Sequence, residues 1–103
     1  MWKSLANIKG LGFGGTTWNN VTGARGYGST YTNNLTYPIL VLISYVATAG
    51  STTYAYVNET IVQYSGAHAT TERDNLSFIV PPGATYSVGR LFGDYIEVWS
   101  ELY

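Results

Sequence analysis

A chain of 103 residues has room for one domain, and without cysteine no disulfide helps to hold it. Five Lys and Arg residues, spread along the chain against six Asp and Glu, exclude the basic footprint of a nucleic-acid binder. Charged residues reach only 11% while aromatics reach 16%, ten of them Tyr, so much of the surface is expected to be contact surface.

In chain order, residues 1–15 read as a Gly-rich lead-in or linker, and residues 16–103 as the folded domain. No apolar core follows Met1, so the start does not read as a signal peptide. The longest apolar stretch, 39–47, is too short to cross a bilayer, and no membrane insertion is expected. The lack of cysteine fits synthesis in a reducing cytosol. Helical periodicity is weak throughout, whereas Thr, Val, Ile and Tyr cluster in short stretches between turn residues. Strands are predicted at 17–21, 28–33, 38–47, 53–57, 60–64, 76–80, 85–88 and 94–101. The stretch 38–47 is apolar on both faces, with Ile39, Val41, Ile43 and Tyr45 on one and Leu40, Leu42 and Val46 on the other. Tyr45 is expected in the core. A sandwich covers one face of such a strand, so a partner subunit is expected over the other. Asn58-Glu59 is predicted as a hairpin turn, Pro81-Pro82-Gly83 as a rigid turn, and 65–75 as the longest polar loop. The expected fold is an all-β, antiparallel, jelly-roll-like β-sandwich of seven or eight strands.

Several motifs invite a chemical reading and do not sustain one. Gly10-Leu11-Gly12-Phe13-Gly14-Gly15 has dinucleotide-fingerprint spacing, but a β-like stretch follows it where a helix N-terminus would be needed. His68 is the single histidine, with no nucleophile elbow and no cysteine, so neither a triad nor a zinc site is expected. Glu72 and Asp74 read as solvated loop acids rather than a carboxylate pair or a calcium site. Four Asn-X-Ser/Thr sequons, at Asn20, Asn34, Asn58 and Asn75, read as by-products of an Asn- and Thr-rich β surface. The basic residues lie mainly in the N-terminal part and Asp94, Glu97 and Glu101 near the end. That asymmetry reads as dispersed solvated charge, with pairing of the two ends as the sharper alternative. No catalytic residue, metal or cofactor is expected.

The tyrosines remain. Tyr54 and Tyr56 are two apart on one strand and share a face, and a Tyr ring with its polar tip suits a sugar as well as a protein contact. Tyr37 at a loop tip, and His68 and Arg73 in the polar loop, complete the candidate ligand-binding set. The competing reading places Tyr54 and Tyr56 between subunits.

Four pieces of the sequence, in order, carry a resemblance. They are the run Gly12 to Arg25 with Gly14-Gly15-Thr16-Thr17-Trp18-Asn19-Asn20-Val21-Thr22, then Tyr31-Thr32-Asn33 with Pro38-Ile39, then Val80-Pro81-Pro82-Gly83-Ala84-Thr85-Tyr86, and finally Trp99-Ser100-Glu101-Leu102. Together with Val57-Asn58, they resemble the C-terminal tip domain of bacteriophage tail fibres. The chain departs from that pattern at Leu35-Thr36-Tyr37, where the family has a Gly-containing turn, and at Glu59, where it has Gly. The resemblance implies a virion component made in the host cytoplasm, a homotrimer joined to other tail-fibre subunits. It also implies attachment to a bacterial glycan, lipopolysaccharide or outer-membrane protein by binding alone. The alternative is a structural trimerising or capping component with no ligand of its own. Trp18, Arg25, Tyr31, Asn33, Pro81, Pro82, Gly83 and Trp99 are implied to be architectural, with Trp18 and Trp99 filling the core and Arg25 bonding loop carbonyls.

Overall fold

The computed structural model describes residues 16–65 and 69–103. The expected lead-in segment 1–15 and His68 lie outside the described residues. The strands are β1 (Trp18–Asn20), β2 (Tyr31–Thr32), β3 (Ile39–Ala47), β4 (Thr53–Val57), β5 (Thr60–Tyr64), β6 (Glu72–Val80), β7 (Thr85–Arg90) and β8 (Tyr95–Leu102), with one 3-10 turn at Thr22–Ala24. They form two four-stranded antiparallel sheets, ordered β1-β8-β3-β6 and β2-β7-β4-β5. The pairs 1–8, 2–7, 3–6 and 4–5 nest inside one another, which is the jelly-roll arrangement of one long hairpin rolled into two sheets. The expected sandwich is what the chain forms.

Alternation builds the core. Ile39, Val41, Ile43, Tyr45 and Ala47 of β3 face the second sheet and are buried, as are Leu76, Phe78 and Val80 of β6. Ala55, Val57, Tyr86 and Val88 meet them from the other side, and Trp99 of β8 is fully buried among them. Tyr45 is the core residue its parity predicts. Its hydroxyl, part-buried, donates to the Ser65 hydroxyl.

The polar loop is shorter than the sequence suggests, because β6 begins at Glu72 and not at 76. Residues 72–75 pair with 44–47, so the long apolar β3 extends a polar segment that would otherwise read as a loop. Arg73 and Asp74 are therefore strand residues. The segment 28–33 contracts to a two-residue strand, since Gly28 takes φ +81 and turns the chain.

Two turns fix the hairpins. At Pro81–Ala84, the Ala84 amide donates to the Pro81 carbonyl at 3.1 Å and Gly83 takes φ +77, the geometry of a type II turn. At the β4–β5 hairpin both Asn58 (φ 49) and Glu59 (φ 67) are left-handed, as a two-residue type I′ turn requires. Asn58 suits that conformation, and its side chain accepts the Thr85 amide at 3.0 Å. Glu59 is strained where the family pattern has Gly. Glu59→Gly is expected to stabilise the fold by about 1 kcal/mol. A urea midpoint that falls in this variant would contradict the turn assignment.

Candidate functional site: a tyrosine platform and the network behind it

The outer face of the second sheet is aromatic. On it the register aligns Gly89, Tyr54 and Tyr64 in one cross-strand row, and Ser87, Tyr56 and Ile61 in the next. Tyr54 and Tyr56 are half-buried and meet edge to face, with centroids 5.6 Å apart. Tyr64 is 67% exposed and Ile61 50%. The floor is made by Gly89. A Cβ there would stand 2.6 Å from the Tyr54 ring, so only Gly lets that ring lie down across β7. The result is a shallow shelf of ring faces and hydroxyls on a rigid sheet, next to the Asn58-Glu59 hairpin.

Parity places Tyr54 and Tyr56 together, as the sequence predicts. Tyr64 joins them through a bulge. The ladder shifts between Ala55 and Tyr56, leaving Val62 as the extra residue, so Tyr64 pairs with Tyr54 and not with Thr53. A one-residue shift moves every following side chain to the opposite face. Without it Tyr64 would point inward.

The other candidates lie elsewhere. Arg73 stands on the outer face of the first sheet and reaches across β3 to Glu97, with Nε donating to Oε1 at 2.8 Å. Hydrogen bonding and charge from Glu97 hold Arg73 above its ordinary pKa, and the same hydrogen bond holds Glu97 below its own. Tyr37 is half-buried in the turn before β3, its carbonyl accepting the Asn33 amide at 2.9 Å. The structure brings neither of them to the platform.

Behind the platform the implied architectural residues form two clusters. In the first, Glu101 is fully buried and accepts four hydrogen bonds. Arg25 gives two, from Nε to Oε2 at 3.2 Å and from Nη2 to Oε1 at 3.1 Å. The Tyr86 hydroxyl and Trp99 Nε1 give the others to Oε2 at 2.8 and 3.0 Å. The Arg25 guanidinium stacks on the Tyr31 ring, 4.6 Å from its centroid. Burial works to lower the Arg25 pKa, and Glu101 more than offsets it, leaving a net rise. Burial, reinforced by the bond to Glu101, pushes the Tyr86 hydroxyl well above the usual tyrosine range. This ion pair joins the two ends of the domain, which for Arg25 and Glu101 corrects the reading as dispersed and solvated charge; Lys3 and Lys9 lie outside the described residues. Arg25 spends one bond on a carbonyl, that of Ala24, but its chief partner is the carboxylate.

In the second cluster buried Asn33 directs its side-chain amide at the carbonyls of Tyr37, Val80 and Pro81, and its backbone carbonyl receives the Gly83 amide. Trp99 fills the core as implied. Trp18 does not. It is 48% exposed, because the register Trp18↔Leu102 puts it on the outer face of the first sheet.

A buried acid at the opposite end of the sandwich escaped the sequence reading. Asp94 accepts the Thr48 amide at 2.7 Å and the Thr53 hydroxyl, while the Tyr27 hydroxyl hydrogen-bonds Thr53 and Arg90 stacks on the Tyr27 ring. It locks the 48–53 and 91–94 turns. Among the described residues no three His, Cys, Asp or Glu side chains gather closely enough to hold a metal ion. Compared with protein-family models, with curated proteins and with solved structures, the chain matches none.

Proposed function

We propose that this chain is the distal tip domain of a bacteriophage tail fibre, attaching the virion to a bacterial surface glycan, lipopolysaccharide or outer-membrane protein by binding and without catalysis. The observation that carries the proposal is the platform of Tyr54, Tyr56 and Tyr64 on the outer face of the second sheet. Sugar rings present apolar faces edged with hydroxyls, and a shelf of tyrosines offers the complement, ring against ring face and phenol against hydroxyl. The platform is neutral and shallow, which suits an extended surface polymer more than a small enclosed ligand.

The resemblance gains physical support from where its pieces meet. Arg25 of the first piece stacks on Tyr31 of the second and bonds Glu101 of the fourth, which also receives Tyr86 of the third. Asn33 of the second piece is tied to Pro81 and Gly83 of the third. Stretches far apart in sequence thus serve one hydrogen-bonded frame, as a shared domain pattern would require.

The test is an NMR titration with oligosaccharide released from smooth lipopolysaccharide. Shift changes are expected to concentrate on the ring protons of Tyr54, Tyr56 and Tyr64. Perturbation confined to the first sheet, or none with any oligosaccharide of a broad panel, would remove the glycan form of the reading.

A second reading, a trimerising or capping component with no ligand of its own, has one observation in its favour. The outer face of the first sheet carries the partly exposed hydrophobics Trp18, Leu42, Ile79 and Val98, as an assembly surface would.

A further inference from the structure

On the outer face of the second sheet the strand residues Tyr54, Tyr56, Ile61, Tyr64, Ser87 and Gly89 carry no charge. The hairpin that closes this face carries one. Glu59 is exposed and stands two residues before Ile61, about 7 Å along the strand. Among the described residues no hydrogen bond or ion pair engages its carboxylate. Its backbone is strained, since φ is 67, a left-handed conformation that suits Gly and crowds a Cβ. Asn58 beside it is left-handed too, but its side chain secures the turn by accepting the Thr85 amide. Glu59 gives the fold no such contact. A side chain that strains its own turn and holds nothing within the chain points to a role outside it.

We infer that Glu59 and the tyrosine shelf together bind an amine-bearing sugar, its ring lying on the tyrosines and its protonated amino group meeting the carboxylate. The inference rests on the glycan form of the reading above and narrows it. Three features select a cationic sugar. First, a tyrosine face attracts a cation as well as the apolar face of a sugar ring, so the shelf serves both parts of such a ligand. Second, the described cations of the chain are engaged elsewhere. Arg25 pairs with Glu101, Arg73 pairs with Glu97, and Arg90 lies on the Tyr27 ring and donates to the Asp94 carbonyl. The counter-charge for Glu59 is therefore left to the ligand. Third, the same carboxylate repels sugars carrying phosphate or carboxylate, which selects against acidic polymers. A neutral sugar would be held by the tyrosines alone and would leave Glu59 without a role.

Ring-proton shift titration of the purified full chain tests this at pH about 6, where the sugar amine is protonated. The probes are a trisaccharide of glucosamine and the same trisaccharide with every amine acetylated. The free-amine form is expected to bind at least about tenfold more tightly, with shifts on Tyr54, Tyr56 and Tyr64, and the preference is expected to shrink as salt is raised. Glu59→Gln is expected to bind both forms alike with its melting temperature nearly unchanged, and Glu59→Asp to keep part of the preference. Glu59→Gly is expected to lose the preference while its urea midpoint rises, a pairing that a purely structural role for Glu59 would not produce. Equal binding of the two forms by the wild type, or a preference that survives Glu59→Gln, would overturn the role of Glu59 and leave the platform standing. Trilysine bound as tightly as the free-amine sugar would overturn the sugar as occupant. Tyrosine rings silent toward both trisaccharides would also overturn the inference, and only the same silence toward the lipopolysaccharide oligosaccharides would remove the platform with it.

Discussion

Replacing Glu101 by alanine is expected to lower the unfolding free energy by about 3–5 kcal/mol, a large part of what a domain of this size possesses. The carboxylate is the acceptor for Arg25, Tyr86 and Trp99 at once. Without it the Tyr86 hydroxyl and Trp99 Nε1 lose their buried partner, at about 1–3 kcal/mol each. The guanidinium loses its counter-charge too, but its side chain is 19% exposed and water can reach part of it, which limits that share. Glu101→Gln keeps one oxygen and the side-chain volume and is expected to fall between wild type and alanine. Chemical denaturation measures all three proteins, and a loss below about 1 kcal/mol in Glu101→Ala would contradict the network's role. The same cluster sets an alkaline limit. Tyr86 is raised chiefly by burial and next by Glu101, so its contribution is intact below the unfolded tyrosine pKa of about 10 and is lost as pH rises past it.

The second large effect is expected at Trp99. Trp99→Ala should cost about 3–5 kcal/mol, since the ring is wholly buried at the centre of the sandwich and meets Tyr31 edge to face at 5.8 Å. Trp99→Phe preserves most of that packing and removes the indole N–H together with its need for a partner, so a smaller loss is expected. Because Trp99 and Glu101 share a hydrogen bond, the double alanine variant should cost less than the sum of the singles. Strict additivity in calorimetry or urea titration would show that the two do not act together.

What the sequence made legible follows from strict alternation and from turn chemistry. β4 and β5 have the predicted bounds, and the parity of β3 assigned Tyr45 to the core. What stayed hidden depends on register. The bulge opposite Ala55 and Tyr56 carries Tyr64 to the platform, and no local residue preference announces it. A Gly89 that clears room for Tyr54 reads, in sequence, like any turn glycine. The resemblance implied that Trp18 fills the core, yet its register with Leu102 turns it to the outer face of the first sheet. Arg73 looked like a loop residue because β6 begins in a polar stretch that only pairing with β3 makes into strand. Charge pairing between Arg25 and Glu101 needed the jelly-roll nesting, which brings residues 76 apart in sequence into contact.

The platform is the centre of the functional account, and adsorption of fluorescently labelled protein to a panel of Gram-negative cells tests it most directly. Saturable adsorption to a subset of strains is expected for the wild type. Tyr64→Ala, at an exposed ring on the edge strand β5, is expected to reduce it at least about tenfold with the melting temperature nearly unchanged, since truncating an exposed aromatic anchor costs binding and not core packing. Gly89→Ala, which displaces the Tyr54 ring, is expected to reduce it as well. Adsorption that survives both substitutions, or that no strain of the panel supports, would contradict the account.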